Sequence, residues 1–138
     1  MILEFHPDIP GREYDRPYKF LGYWHSISTD GTKTGLDFDR YSEKFDHLPV
    51  PDEWVDVTWN AVEREKVVNY LKVIGTEHQA WRGNSWCRFD GCETKHLAGY
   101  RDMTDGVYVW PEAFHHYVEV HGVKPPQEFV DHVLARMR

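Results

Sequence analysis

The sequence predicts an α+β fold in one domain: a small, mostly antiparallel sheet of hairpins flanked by about three helices. Three observations predict it. Two hairpin signals, Asp90-Gly91 and Thr104-Asp105-Gly106, lie close together in the second half of the chain. Amphipathic helical patterns stand before and after them. A chain of 138 residues suits one domain that buries a core without disulfide staples. With 28% charged and 41% hydrophobic residues, it reads as a globule and not a disordered segment.

The expected domain, 1–138, has two textures. Residues 1–50 are loosely patterned strands, a short helix and loops; residues 60–138 form the core, with a helix, two hairpins and two C-terminal helices. Residues 1–5 read as a short strand closed by Pro7, and residues 18–25 as a better strand bounded by Pro17 and Ser26. From 36 to 48, Phe38, Tyr41, Phe45 and Leu48 recur at helical spacing. Trp54, Val55, Val57 and Trp59 are expected to be mostly buried.

The clearest helix follows. Asn60 caps it, with Glu63 placed to complete a capping box. Val67, Val68, Leu71 and Ile74 line its inner face, and Gly75 offers a left-handed stop. Beyond it, Asp90-Gly91 closes one hairpin and places Cys87, Cys92 and His96 on a common face. The second hairpin turns at Thr104-Asp105-Gly106, pairing Met103 with Val107 and setting Tyr100, Asp102, Tyr108 and Trp110 on one face. Pro111 suits a first helical position and Glu112 a first turn. Phe114, Tyr117, Val118 and His121 then form an inward stripe that Gly122 ends. After Pro125-Pro126 a last helix presents Phe129, Val130, Val133, Leu134 and Met137 to the core.

Composition narrows the function. A formal net charge of −7 with no basic run disfavours nucleic acid as a partner, since phosphate repels it. The same charge admits a different reading, an acidic nucleic-acid mimic. No stretch approaches the ~20 apolar residues of a membrane span, so no membrane partner is expected. Two cysteines and no signal-like N-terminus lead to a cytoplasmic expectation. No P-loop, GxGxxG or GxSxG pattern is present.

Three groups could carry function. Cys87, Cys92 and His96 have the thiol and imidazole identity that suits zinc, with His78, His115 or His116 as further donors; the two cysteines could equally be small core residues, the usual place of such cysteines, and a redox or disulfide role is a third reading. His115, His116, Glu119 and His121 crowd one helix without forming HExxH, and His116 beside the hairpin end is the one to act as acid, base or ligand. The face of Tyr100, Asp102, Tyr108 and Trp110, with Glu112 at its junction, has the aromatic and carboxylate character of a recognition surface. Buried, Asp102 would need a partner such as Arg82 or Arg88.

The second half of the chain resembles a group of small uncharacterised bacterial proteins. The resemblance rests on Arg82, Gly83, Ser85, Cys87 and Arg88, on Thr104 to Gly106 with Tyr108 and Trp110 to Glu112, on His116 to Val118, and on Pro126, Glu128 and Phe129. It departs at Asp90, where the group tends to have a cysteine, and at Ala113, where it tends to have glycine. The resemblance implies a shared fold and no particular activity.

The leading expectation is a non-enzymatic protein that binds another protein, in the manner of small acidic immunity or inhibitor proteins, with no cofactor. The site would be Tyr100, Asp102, Tyr108, Trp110, Glu112 and His116. The alternative is a metalloprotein or hydrolytic enzyme built on Cys87, Cys92 and His96 with His116.

Overall fold

The computed structural model describes residues 2–7, 12–24, 48–81, 87, 89, 92 and 99–137. Among these, four strands form one sheet in the order β1-β4-β3-β2, where β1 is Lys19–Phe20, β2 Thr76–Ala80, β3 Arg101–Thr104 and β4 Tyr108–Pro111. The pairs β2–β3 and β3–β4 are antiparallel, while β1 runs parallel to β4. Three helices accompany the sheet: α1 Ala61–Val73, α2 Phe114–His121 and α3 Gln127–Arg136. The expected α+β architecture, a mostly antiparallel sheet with three helices, is therefore present. Residues 36–47 of the expected helix and the Asp90-Gly91 turn lie outside the described residues, while Leu48 is buried.

The sheet has two unlike faces, and the register of the β3–β4 hairpin decides which side chain goes where. Met103 pairs with Trp110 and Thr104 with Val109, not Met103 with Val107. The Thr104 hydroxyl and the Asp105 carboxylate cause the difference. The Gly106 N–H donates to Thr104 Oγ1, and the Val107 and Tyr108 N–H groups both donate to Asp105 Oδ1, so the partner of Met103 moves three residues along, from Val107 to Trp110. A shift by an odd number exchanges the faces of one strand relative to the other. Asp102 and Val109 consequently share one face, and Met103 and Trp110 the other.

The face of Trp110 packs on the helices. Its ring meets Tyr70 of α1 and Phe129 of α3, while Tyr108 stands edge-on to Phe129. Val67, Val68, Tyr70 and Leu71 are the buried residues of α1, so Tyr70 takes the place expected for Ile74, which is 48% exposed. Asn60 caps α1 as expected, accepting from the Val62 and Glu63 N–H groups. The Glu63 carboxylate does not close a capping box; it accepts from the Trp59 indole at 3.1 Å. Gly75 is not a left-handed stop. A Cβ there would stand 2.7 Å from the Trp110 ring, so the glycine serves close approach of chain to core.

The N-terminal residues cover the other face. Phe20 pairs with Val109, and Leu3 bridges back to Phe20, making residues 2–7 a cover with one isolated bridge and not a full strand. His6 lies among Phe20, Tyr23 and Trp81, with ring centroids 5.2–5.4 Å away. Residues 51–54 form a short 3-10 turn. Trp54 and Trp59 are partly buried, but Val57 is 92% and Val55 37% exposed, contrary to expectation. This segment needs no apolar anchor at Val57, because the backbone ties it down: Asp56 N–H donates to Gly122 and Lys124 N–H to Trp54.

Pro111 ends β4 opposite Asp102 and does not start a helix. Helix α2 begins at Phe114 and buries Phe114, Tyr117 and Val118; Gly122 ends it at φ 70°. Helix α3 buries Phe129, Val130 and Val133, while Met137 is exposed at the end of the chain.

Candidate metal centre

Four soft donors converge where the β2–β3 connection meets α2. Cys87 and Cys92 come from the connection, His116 and His121 from the helix. Cys87 Sγ is 3.4 Å from His121 Nε2, Cys92 Sγ is 3.5 Å from His116 Nε2, and the two Nε2 atoms are 3.2 Å apart. All four donor atoms lie within 4.8 Å of one another. A tetrahedral zinc ion has bonds of about 2.3 Å to sulfur and about 2.0–2.1 Å to nitrogen, which places S–N edges at roughly 3.5–3.6 Å and the N–N edge at roughly 3.3 Å. The three distances fit those edges. Between two imidazole nitrogens this close at most one proton fits, whereas a shared cation uses both lone pairs.

The surroundings hold the donors in place. The Phe89 ring lies flat on the His121 imidazole, with centroids 4.0 Å apart and planes 9° from parallel. The Phe89 backbone and the Tyr117 hydroxyl favour the thiolate form of Cys87, against the larger effect of burial. Cys87 is buried and the other three donors are half-buried. Burial pushes the Cys87 thiol up to about 11. It also pushes His116 and His121 below the usual imidazole range, with His116 adding to the effect on His121. Both rings are thus neutral around pH 7, the form that ligates a metal.

Of the three ligands expected from sequence, Cys87 and Cys92 are brought together, and His96 lies outside the described residues. His116, weighed as a further donor, joins them. His121 was expected in the core stripe and in the His-rich helix but not beside the cysteines, so it is the donor whose place residue patterning missed. The two histidines are five apart, about 140° around an α-helix, so periodicity does not pair them. Among the other candidates, His78 sits at the opposite face of the sheet against Tyr14 and Tyr18, and His115 presents to Lys72 and Glu119. Cys87 and Cys92 are not joined in a disulfide.

The aromatic face expected to bind a partner is not a single surface. Tyr108 and Trp110 are 2% and 0% exposed beneath the helices, and Asp102, at 3%, points to the other side of the sheet. The odd register shift of the hairpin is the physical reason. Asp102 is satisfied without Arg82 or Arg88, which lie outside the described residues. Its carboxylate is bonded to His6 at 2.8 Å and accepts from Trp81 at 2.8 Å and Tyr23 at 2.9 Å. Tyr100 alone of the four is exposed, at 47%. Glu112 is engaged by the Arg101 guanidinium at 2.9 Å and by the Tyr100 and Arg101 N–H groups, and these bonds, led by Arg101, hold its carboxyl below the usual range.

No helix among the described residues is long and apolar enough to cross a membrane. A family model described as a domain of unknown function, DUF7919, matches residues 41–134, more than half of the chain. No curated protein and no solved structure matches it.

Proposed function

The chain belongs to the DUF7919 family, and we propose that it is a non-enzymatic zinc protein whose ion fastens the β2–β3 connection to α2 through Cys87, Cys92, His116 and His121. The observation that carries this reading is the agreement of three donor–donor distances with the edges of a zinc tetrahedron. Two thiols with two imidazoles are a soft donor set that suits zinc over magnesium or calcium, which prefer oxygen.

The role is structural. Four protein donors complete a tetrahedron and leave no position for the water that a hydrolytic zinc enzyme activates. The packing around the donors supports the same reading, because the Phe89 ring fixes the His121 imidazole as outer partners do in metal sites. Protein binding, with its face of Tyr108 and Trp110 buried, has acidity and the exposed Tyr100 as its remaining support.

Elemental analysis of the native protein tests the proposal. About one equivalent of zinc per chain is expected, falling to background in Cys92→Ser and His121→Ala, while His115→Ala retains it. Zinc below about a tenth of an equivalent, in protein purified without chelator and after incubation with zinc, would remove the reading.

A further inference from the structure

We propose that Cys87 and Cys92 form a redox switch whose oxidation expels the ion and unties the β2–β3 connection from α2; this rests on the zinc reading above. The chain contains two cysteines and both belong to the donor cluster, so oxidation within one chain has a single disulfide product. Their sulfurs already lie within 4.8 Å of each other. The donors are also segregated by element: both thiols come from the connection and both imidazoles from α2. One disulfide therefore withdraws every ligand on one side of the ion at once. The remaining pair, His116 and His121, supplies two ligands where zinc requires four.

Accessibility assigns the order of events. Cys92 is half-buried and Cys87 is buried, so a peroxide meets Cys92 first. The Cys92 thiolate attacks one peroxide oxygen, the O–O bond breaks, and hydroxide leaves, giving a sulfenic acid. The Cys87 thiolate then attacks the Cys92 sulfur, the S–O bond breaks, and a second hydroxide leaves. Two electrons pass from the sulfurs to the peroxide, two protons from solvent convert both hydroxides to water, and zinc departs as the hydrated cation. A dithiol reductant reverses the disulfide by exchange.

The test uses zinc-loaded full-length protein, with metal content measured first. Hydrogen peroxide is added while a chromogenic chelator reports zinc and intact mass reports the thiols. The expected result is stoichiometric zinc release in step with the loss of two hydrogens per chain, and recovery of both by dithiothreitol with added zinc. Zinc that stays bound under excess peroxide overturns the switch, as does release accompanied by oxygen addition or by disulfide-linked dimers. His121→Ala keeps both thiols while weakening the ion's hold, and should close the disulfide faster than the loaded wild type; an equal or slower rate counts against the proposal. Absence of zinc in the untreated, zinc-incubated protein defeats the zinc reading itself, and a disulfide formed in that zinc-free chain would overturn the coupling to a metal.

Discussion

His6 and Asp102, separated by 96 positions in the chain, are joined by a 2.8 Å bond with both side chains essentially sealed from solvent. This contact pins the N-terminal cover to the middle of the sheet, and Tyr23 and Trp81 add two further donors to the same carboxylate. Removing the acceptor takes the shared carboxylate away from buried His6 and from the partly buried Tyr23 and Trp81, which costs far more than the pair itself contributes. Asp102→Ala should destabilise the protein by about 3–5 kcal/mol, a large fraction of the total for a small domain. The midpoint of urea unfolding reads this directly. Tyr100→Ala, two residues earlier but exposed, should stay within about 0.5 kcal/mol of wild type.

Gly75 and Gly122 should respond differently to alanine. At Gly75 the added methyl would meet the Trp110 ring at 2.7 Å, so Gly75→Ala acts by overpacking and should cost about 1–3 kcal/mol. At Gly122 the space is open, with the nearest atom at 4.0 Å, but the backbone sits at φ +70°. Gly122→Ala should therefore cost about 1 kcal/mol through left-handed strain. Enlarging the cavity with Trp110→Phe should offset part of the first penalty and none of the second, as a double-mutant cycle in chemical denaturation would show.

Asp105 makes stability depend on acid. Burial works to raise its carboxyl, but bonds from Tyr70, the Tyr108 N–H, His132 and the Val107 N–H together bring it below the usual carboxylate range. A depressed folded value means that the unfolded chain binds the proton first. The stabilisation is then fully present above the unfolded carboxylate value of about 3.9 and is lost as pH falls through the folded one. Stability curves between about pH 2 and 6 should slope upward with pH in the wild type, and less steeply in Asp105→Asn. Equal slopes would exclude Asp105 as the group responsible. Tyr70, raised to about 12 by burial and by this carboxylate, remains protonated throughout that range.

Phe89 should tune the zinc affinity without supplying a ligand. Its ring is stacked on His121 at 4.0 Å, and Phe89→Ala would free that imidazole to rotate. The expected loss is about 10-fold in zinc affinity, measured by competition with a chromophoric chelator, while the cobalt-substituted site keeps its tetrahedral spectrum. An unchanged affinity would make the stack incidental.

Much of the architecture was legible because it is local. The Asn60 cap, the buried stripe of Val67, Val68 and Leu71, the stop at Gly122, the helix after Pro125-Pro126 and the turn near Asp105 each follow from a handful of adjacent residues. The errors have local causes too: Thr104 and Asp105 accept backbone donors that a shorter loop would have left to the strands.

By itself, then, the sequence determined the class of the fold, the identity and order of its main helices, and three members of the four-residue donor cluster, Cys87, Cys92 and His116, since propensity, capping and side-chain chemistry act over a few residues. Tertiary structure decided the rest. The hairpin register sent Asp102 to one face and Trp110 to the other, β1 closed the sheet in parallel, and the packing of α2 brought His116 and His121 onto Cys87 and Cys92. Such convergence depends on contacts between segments far apart in the chain, and no pattern of neighbouring residues encodes the distance between them.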